Sequence, residues 1–274
     1  MVHFLRLRGR QNSAEYGCRY VRTRGWQEEE RAGRRLHMSL TQAPQTGPIL
    51  RGMLSKGSQP VPDSPYWVIQ SPNNANNGIK WHAGRLLATY EAGSAYELRL
   101  CRELTTLGVC SFGKGGWSYA DHWMENFTAH SKVCAVTGEL CYVGYNLVPF
   151  GGPPTVTVGV LSSDGSLAHK ATIPVARPSM QHDVGITTMR TILLDGPLVF
   201  NLSKAAAGGR PFDFLRGEPL RFGILPRHGG ADDVVWIEAE GCFSYHIANC
   251  WDHPTEPGAF RPRSCHVSRR VRPF

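Results

Sequence analysis

TVTVGVLSSDGSLAHKATI, residues 155–173, decides the fold class. A run of β-branched and apolar residues, TVTVGVL (155–161), leads into Asp164-Gly165, and a second run, LAHKATI, follows. Val and Thr are stiff at χ1 and pack well on a pleated surface, so such runs favour strands over helix. Asp and Gly both tolerate the positive φ that tight hairpin turns need. The stretch therefore predicts a β-hairpin. Similar short blocks occur on either side: CRYVRT (18–23), RLLATYE (85–91), CYVGY (141–145), TILLD (191–195), VVWIE (234–238) and CFSYH (242–246). Each is bounded by Gly, Pro, Asp or Asn, and Thr137-Gly138 marks a second turn. Helix is scarce. WQEEERAGRR (26–35) has enough helix formers for a few turns, and NLSKAAAGG (201–209) offers Asn201 as a cap and Gly208 as a stop.

Composition agrees with an all-β reading. Thirty glycines and nineteen prolines in 274 residues call for many turns and exclude a helical bundle. At 41% apolar and 19% charged residues the chain is too apolar to be disordered. The net charge of +8 is concentrated at the ends: residues 1–51 carry +6, 52–260 carry −3 and 261–274 carry +5. The body presents no basic stripe, which argues against nucleic acid as a partner. Eight cysteines are scattered without a CxxC pair, so they read as reduced thiols and not as a structural zinc site. The N-terminus lacks the apolar run of a secretion signal. The 24 uncharged residues 140–163 contain three prolines and four glycines and read as strand, loop, strand, not as a membrane span. The compartment is left between cytoplasm and plastid. Residues 43–75, with five prolines in 43–65 alone and little periodicity, read as a variable loop, and 253–274 as an Arg/Pro-rich disordered tail.

Many short antiparallel strands leave a sandwich, a barrel or a propeller. Three histidines choose among them. His130, His182 and His246 each end a strand-like block, 52 and 64 residues apart, close to one four-stranded propeller blade with generous loops. A propeller brings such equivalent positions together around one axis. Motifs for other chemistries (GxGxxG, P-loop, HExxH, GxSxG) do not occur.

RYVRTRGW (19–26), WHAGRLLATYEAG (81–93), NFTAHSKV (126–133) with VTGEL (136–140), PSMQHDVGIT (178–187), PLVFNL (197–202) and the long block 221–252, RFGILPRHGGADDVVWIEAEGCFSYHIANCWD, together resemble the carotenoid cleavage oxygenase family. The resemblance covers about residues 1–252 with a gap around 43–75. It implies a seven-bladed β-propeller and an oxidoreductase that splits a conjugated C=C bond of a carotenoid, apocarotenoid or stilbene with O₂, giving two carbonyl products. It implies Fe(II) as cofactor, held by four histidines, with His130, His182 and His246 matching three of them. Glu91 matches a glutamate that holds the outer N–H of one such histidine, here His182. Trp123, Phe127 and Tyr90 are candidates for an apolar tunnel, although each is also an ordinary core residue. Tyr90 stands where stilbene-cleaving relatives tend to carry Lys, which favours a carotenoid or apocarotenoid. A polyene substrate also implies membrane-surface contact for its uptake.

The match is incomplete. The fourth histidine has no counterpart in the motif series, and His253 and His266 stand outside any family context. Two later glutamates of the family also lack counterparts. Ser131, Gln181 and Cys250 depart from the usual residues without removing a ligand. At 52–64 residues per blade, the chain holds about five blades. The expectation is a partial propeller with short helical insertions. Its end blades would expose apolar faces and favour association. The competing reading is a non-catalytic propeller fragment that binds an apolar ligand or a protein partner.

Overall fold

The computed structural model describes residues 1–36, 73–91, 93–101, 103–110, 127–145, 153–201, 203–204, 209–210 and 212–252. Trp123, Gly208, His253, His266, most of the 43–75 loop and the whole 253–274 tail lie outside the described residues.

The regular structure among the described residues is mostly strand, with helix α1 and short 3₁₀ turns. A hairpin of β1 (Val2–Arg8) and β2 (Ser13–Arg19) comes first, then α1 (Arg24–Ala32). Three four-stranded antiparallel sheets follow. The first is β3 (Gly78–His82), β4 (Arg85–Thr89), β5 (Tyr96–Leu100) and β6 (Leu104–Val109). The second is β7 (Lys132–Val133), β8 (Leu140–Tyr145), β9 (Thr155–Leu161) and β10 (Leu167–Pro174). The third is β11 (Gly185–Ile186), β12 (Arg190–Asp195), β15 (Leu220–Pro226) and β16 (Val235–Ala239). A small hairpin of β13 (Leu198–Phe200) and β14 (Phe212–Phe214) is inserted between β12 and β15. About five blades are expected from the repeat length, and the described residues hold three complete sheets and the N-terminal hairpin.

Both central turns form where expected. In the 155–173 hairpin, the Ser162 N–H donates to Ser166 O, and Gly165 alone takes positive φ, at 90°. Asp164 instead accepts from the Ser166 N–H and hydroxyl, so the turn is built around one left-handed glycine. The Thr137-Gly138 turn places Gly138 at φ 74°. The helix begins two residues earlier than the sequence suggests, because the Thr23 hydroxyl caps it by accepting from the Trp26 N–H. It stops at Gly33 in the left-handed region. Asn201 caps as expected, accepting from the Lys204 N–H. Two expected strands differ. Within CRYVRT only Cys18 and Arg19 are strand, and CFSYH is irregular throughout.

The sheets stack face to face, and side-chain alternation shows how. In β8, Leu140 and Tyr142 join Leu87, Phe127 and Leu161 in a core shared with the first sheet. Val143 and Tyr145 on the opposite face join Val156, Val158, Leu193 and Leu225 in a core shared with the third. Every residue of β8 is buried, as a strand covered on both faces requires. The outer face of the first sheet packs on Val2, Phe4 and Val21 of the N-terminal region. The outer face of the third is covered by Ile247 and Cys250. Apolar side chains thus lie against the outer face of each end sheet, where bare faces were expected. Exposed apolar side chains remain on the hairpin (Leu5, Leu7, Tyr16), on the first sheet (Trp81, Leu100) and at Val235 of the third.

The short first strands of successive sheets meet at one edge of the stack. The Thr89 hydroxyl donates to Ala129 O at 2.7 Å, tying the first sheet to the approach to β7. A parallel bridge pairs His130 with Asp183, just ahead of β7 and β11. Inner strands side by side, with each antiparallel meander running outward from them, are the arrangement of propeller blades.

Candidate metal centre

Two of the three histidines occupy equivalent places: His130 lies two residues before β7 and His182 three before β11. His246 follows β16, on the irregular segment that covers the third sheet. All three nevertheless converge. One ring nitrogen from each of His130, His182 and His246 lies within 4.8 Å of the others. Ring centroids are 4.5 Å apart for His130–His182 and His130–His246, and 5.1 Å for His182–His246. Two nitrogens bound at about 2.1 Å to one ion are at most about 4.2 Å apart, so small ring rotations bring this trio onto a single ion.

Glu91 lies beside His182. It follows β4, is buried, and places Oε2 2.6 Å from His182 Nδ1. Its other oxygen accepts from the Tyr145 hydroxyl. With Nδ1 turned to a carboxylate, His182 presents Nε2 to the centre. His130 has no such carboxylate contact among the described residues. Burial, followed by the neighbouring His182 imidazole, pulls its pKa down to about 4 against the attraction of Asp183. His130 is therefore neutral at pH 7, the form that ligates a metal. The donor set fits a borderline ion such as Fe(II): three imidazoles, no carboxylate in the cluster among the described residues, and His246 open to solvent on one side.

The other aromatic candidates are structural. Phe127 is fully buried and stacks on Tyr142 at 4.8 Å. Tyr90 is buried in the core between the second and third sheets. The sequence reading missed five residues around the centre. Tyr145 reaches Glu91 from β8. Tyr245, half exposed, packs edge-on against His182 at 5.1 Å, and Phe243 packs on Tyr245 at 4.7 Å. Asp183 and Lys132 form a buried ion pair at 2.9 Å between the first and second histidines. Asp183 follows His182 directly and Lys132 stands two residues past His130, and that adjacency was the available signal.

The family model for the retinal pigment epithelial membrane protein matches residues 1–269. The chain belongs to this family. The carotenoid cleavage oxygenases that the motifs resemble are part of it. The carotenoid 9,10(9',10')-cleavage dioxygenase of Crocus sativus is 30% identical over 262 residues, covering 93% of this chain and 45% of the relative. The lignostilbene dioxygenase of Pseudomonas brassicacearum superposes with a TM-score of 0.62 at 27% identity, over 83% of this chain and 42% of that one. A cobalt-substituted Synechocystis apocarotenoid oxygenase superposes with a TM-score of 0.68 at 22% identity, over 88% and 47%. The chain thus spans less than half the length of the curated relatives it matches. Membership in this family establishes the β-propeller fold. Among the described residues no helix is long and apolar enough to cross a membrane.

Proposed function

We propose that this centre binds Fe(II) through His130, His182 and His246 and takes part in cleaving a conjugated C=C bond of a carotenoid or apocarotenoid with O₂, giving two carbonyl products. The observation that carries the reading is the convergence of three imidazoles far apart in sequence, one of them beside a buried glutamate. Bound Fe(II) would supply O₂ activation, which no side chain can perform. The residues of this chain do the rest. Glu91 keeps a proton on His182 Nδ1 and so directs Nε2 inward, and Tyr145 holds Glu91. The low pKa of His130 keeps its ring neutral and available. Tyr245 and Phe243 give an apolar aromatic surface beside His182 on which a polyene can lie. Tyr90 sits in the core and offers no cation to a phenolic oxygen, which supports a carotenoid over a hydroxystilbene.

The test is reconstitution under anaerobic conditions. About one Fe(II) per chain is expected in the wild type and little in His182→Ala. Aldehyde products from an apocarotenal are then expected on admitting O₂. Stoichiometric iron that is unchanged in His182→Ala would reject the site. Iron bound at the site without any product would favour the non-catalytic apolar-binding reading for this length of chain.

A further inference from the structure

Away from the metal centre, the fold brings two thiols under one buried arginine. The ladder of β7 and β8 pairs Lys132 with Cys141 and Val133 with Leu140, and just beyond it the Cys134 N–H donates to Glu139 O at 2.8 Å. Cys134, Glu139 and Cys141 therefore share one face of this hairpin, since alternate residues of a strand point the same way. That face looks toward the third sheet, from which Arg227 arrives directly after β15. The Arg227 side chain is 5% exposed. Its Nη1 donates to Glu139 Oε2 at 3.2 Å and its Nη2 to Thr187 O. Nε, also buried, bonds to no oxygen or nitrogen among the described residues. The guanidinium lies close enough to Cys134 and Cys141 to favour a negative charge on either sulfur.

The two sulfurs differ in what else surrounds them. Cys141 is fully buried, and burial pushes its thiol up to about 12. Cys134 lies just under the exposed turn 135–137. Burial alone would raise its thiol too, but the Thr137 hydroxyl and N–H, the Val136 N–H and Arg227 outweigh it. Each of these groups donates to the sulfur. The Gly138 N–H closes the turn onto Cys134 O at 2.9 Å, which fixes the donors in place. Around Arg227 the other titratable groups are Glu139 and, 3.0 Å from its second oxygen, His228. A concavity of N–H and O–H donors beside a buried guanidinium suits an anion. It suits best an anion whose charge sits on oxygen, because sulfur is a weak acceptor.

We infer that Cys134 is a modification site for hydrogen peroxide, oxidised first to a sulfenate and then to a sulfinate, with Arg227, Val136 and Thr137 holding the oxygen-bearing anion. The thiolate sulfur attacks one peroxide oxygen, so that an S–O bond forms and the O–O bond breaks. The hydroxide released takes the proton of the new S–OH group and leaves as water. Sulfur is oxidised by two electrons and the peroxide is reduced by two. A second peroxide repeats the step at the same sulfur and gives the sulfinate. Cys141, a neutral buried thiol, is a poor nucleophile, so the sulfenate is not drawn off as a disulfide. Arg227 also ties the β7–β8 hairpin to Thr187, next to β11, so the product sets a permanent negative charge at a joint between the second and third sheets. The site does not depend on the metal-centre reading.

The test is treatment of the full chain with hydrogen peroxide at pH 7, with a chelator present to exclude iron chemistry. Dimedone traps sulfenic acid, and peptide mass spectrometry locates it. Cys134 is expected to gain the adduct about 10-fold faster than Cys101, although Cys101 is exposed and Cys134 is buried. Without dimedone, further peroxide is expected to add two oxygens to Cys134. Oxidation governed by access would label Cys101 first, and that result overturns the inference. A Cys134–Cys141 disulfide in place of the sulfinate overturns it too. Arg227→Gln is expected to slow the adduct at Cys134 about 10-fold and to leave Cys101 unchanged. Should that variant fold poorly, Thr137→Ala on the exposed turn removes one donor without touching the joint between the sheets, and slower labelling of Cys134 alone is expected. An unchanged rate at Cys134 in both variants overturns the inference.

Discussion

Glu91 serves two partners at once, His182 through Oε2 and Tyr145 through Oε1. Removing its charge leaves a buried histidine without the acceptor that sets its tautomer. Glu91→Gln is therefore expected to lower metal affinity about 10- to 100-fold, measured by competition with a chelator. Tyr145→Phe keeps the carboxylate but frees it to turn, so a smaller loss in the same direction is expected. A second expectation concerns the thiols. Burial pushes Cys110 and Cys141 up to about 12. At Cys134 burial acts in the same direction but is outweighed by hydrogen bonds from Thr137, Val136 and Arg227, which bring the thiol down to about 7. At pH 8 Cys134 is mostly thiolate while the other two remain protonated. Since the thiolate is the nucleophile, iodoacetamide should label Cys134 well before Cys110 or Cys141, as read by peptide mass spectrometry. Equal labelling of the three would show that access, not ionisation, governs them.

At the scale of elements, the second sheet is the most constrained. It is covered on both faces, and its cross-strand pair Tyr142–Gly159 shows how closely. The Tyr142 ring lies over Gly159, so a Cβ added there would collide with the ring. Tyr142 cannot retreat, because it is fully buried and stacked on Phe127. Gly159→Ala is expected to cost about 1–3 kcal/mol through overpacking, seen as a lower Tm. That glycine was legible in the sequence only as a member of TVTVGVL, since nothing local says that a tyrosine from the neighbouring strand covers it. The strands themselves were legible because apolar alternation records which faces are buried. CFSYH shows the limit of that signal. Its aromatic residues suit a strand, yet they pack across the third sheet and around His182 without pairing.

Across the whole molecule, the candidate ligands come from the starts of the second and third sheets and from the segment after β16, so a bound ion would tie these three elements together. An ion that binds the folded state alone stabilises it by mass action, about 2.7 kcal/mol at 100-fold excess over Kd. Co(II) is therefore expected to raise Tm in the wild type, a chelator to reverse the rise, and His182→Ala to abolish it. A rise that persists in His182→Ala would place the ion elsewhere. The charge distribution belongs to this scale too. The basic ends and the slightly acidic body are features of the chain. At the centre, by contrast, Asp183 and Lys132 are brought together from two sheets, and Glu91 is brought to His182.

The residues alone were enough for the all-β class and both central hairpin turns, and motif resemblance named Glu91 as a neighbour of His182. These depend on local periodicity, on backbone preferences at glycine, and on motif resemblance, all of which are written along the chain. Tertiary structure decided the covering of the end sheets, the core positions of Tyr90 and Phe127, and the partners of Asp183. The last case shows the physical reason. Asp183 and Ile247 are 64 residues apart, and their hydrogen bond exists only because the third sheet folds back on itself. A buried carboxylate requires partners, but which donors it finds depends on how the sheets pack, and no local pattern in QHD or FSYH encodes that.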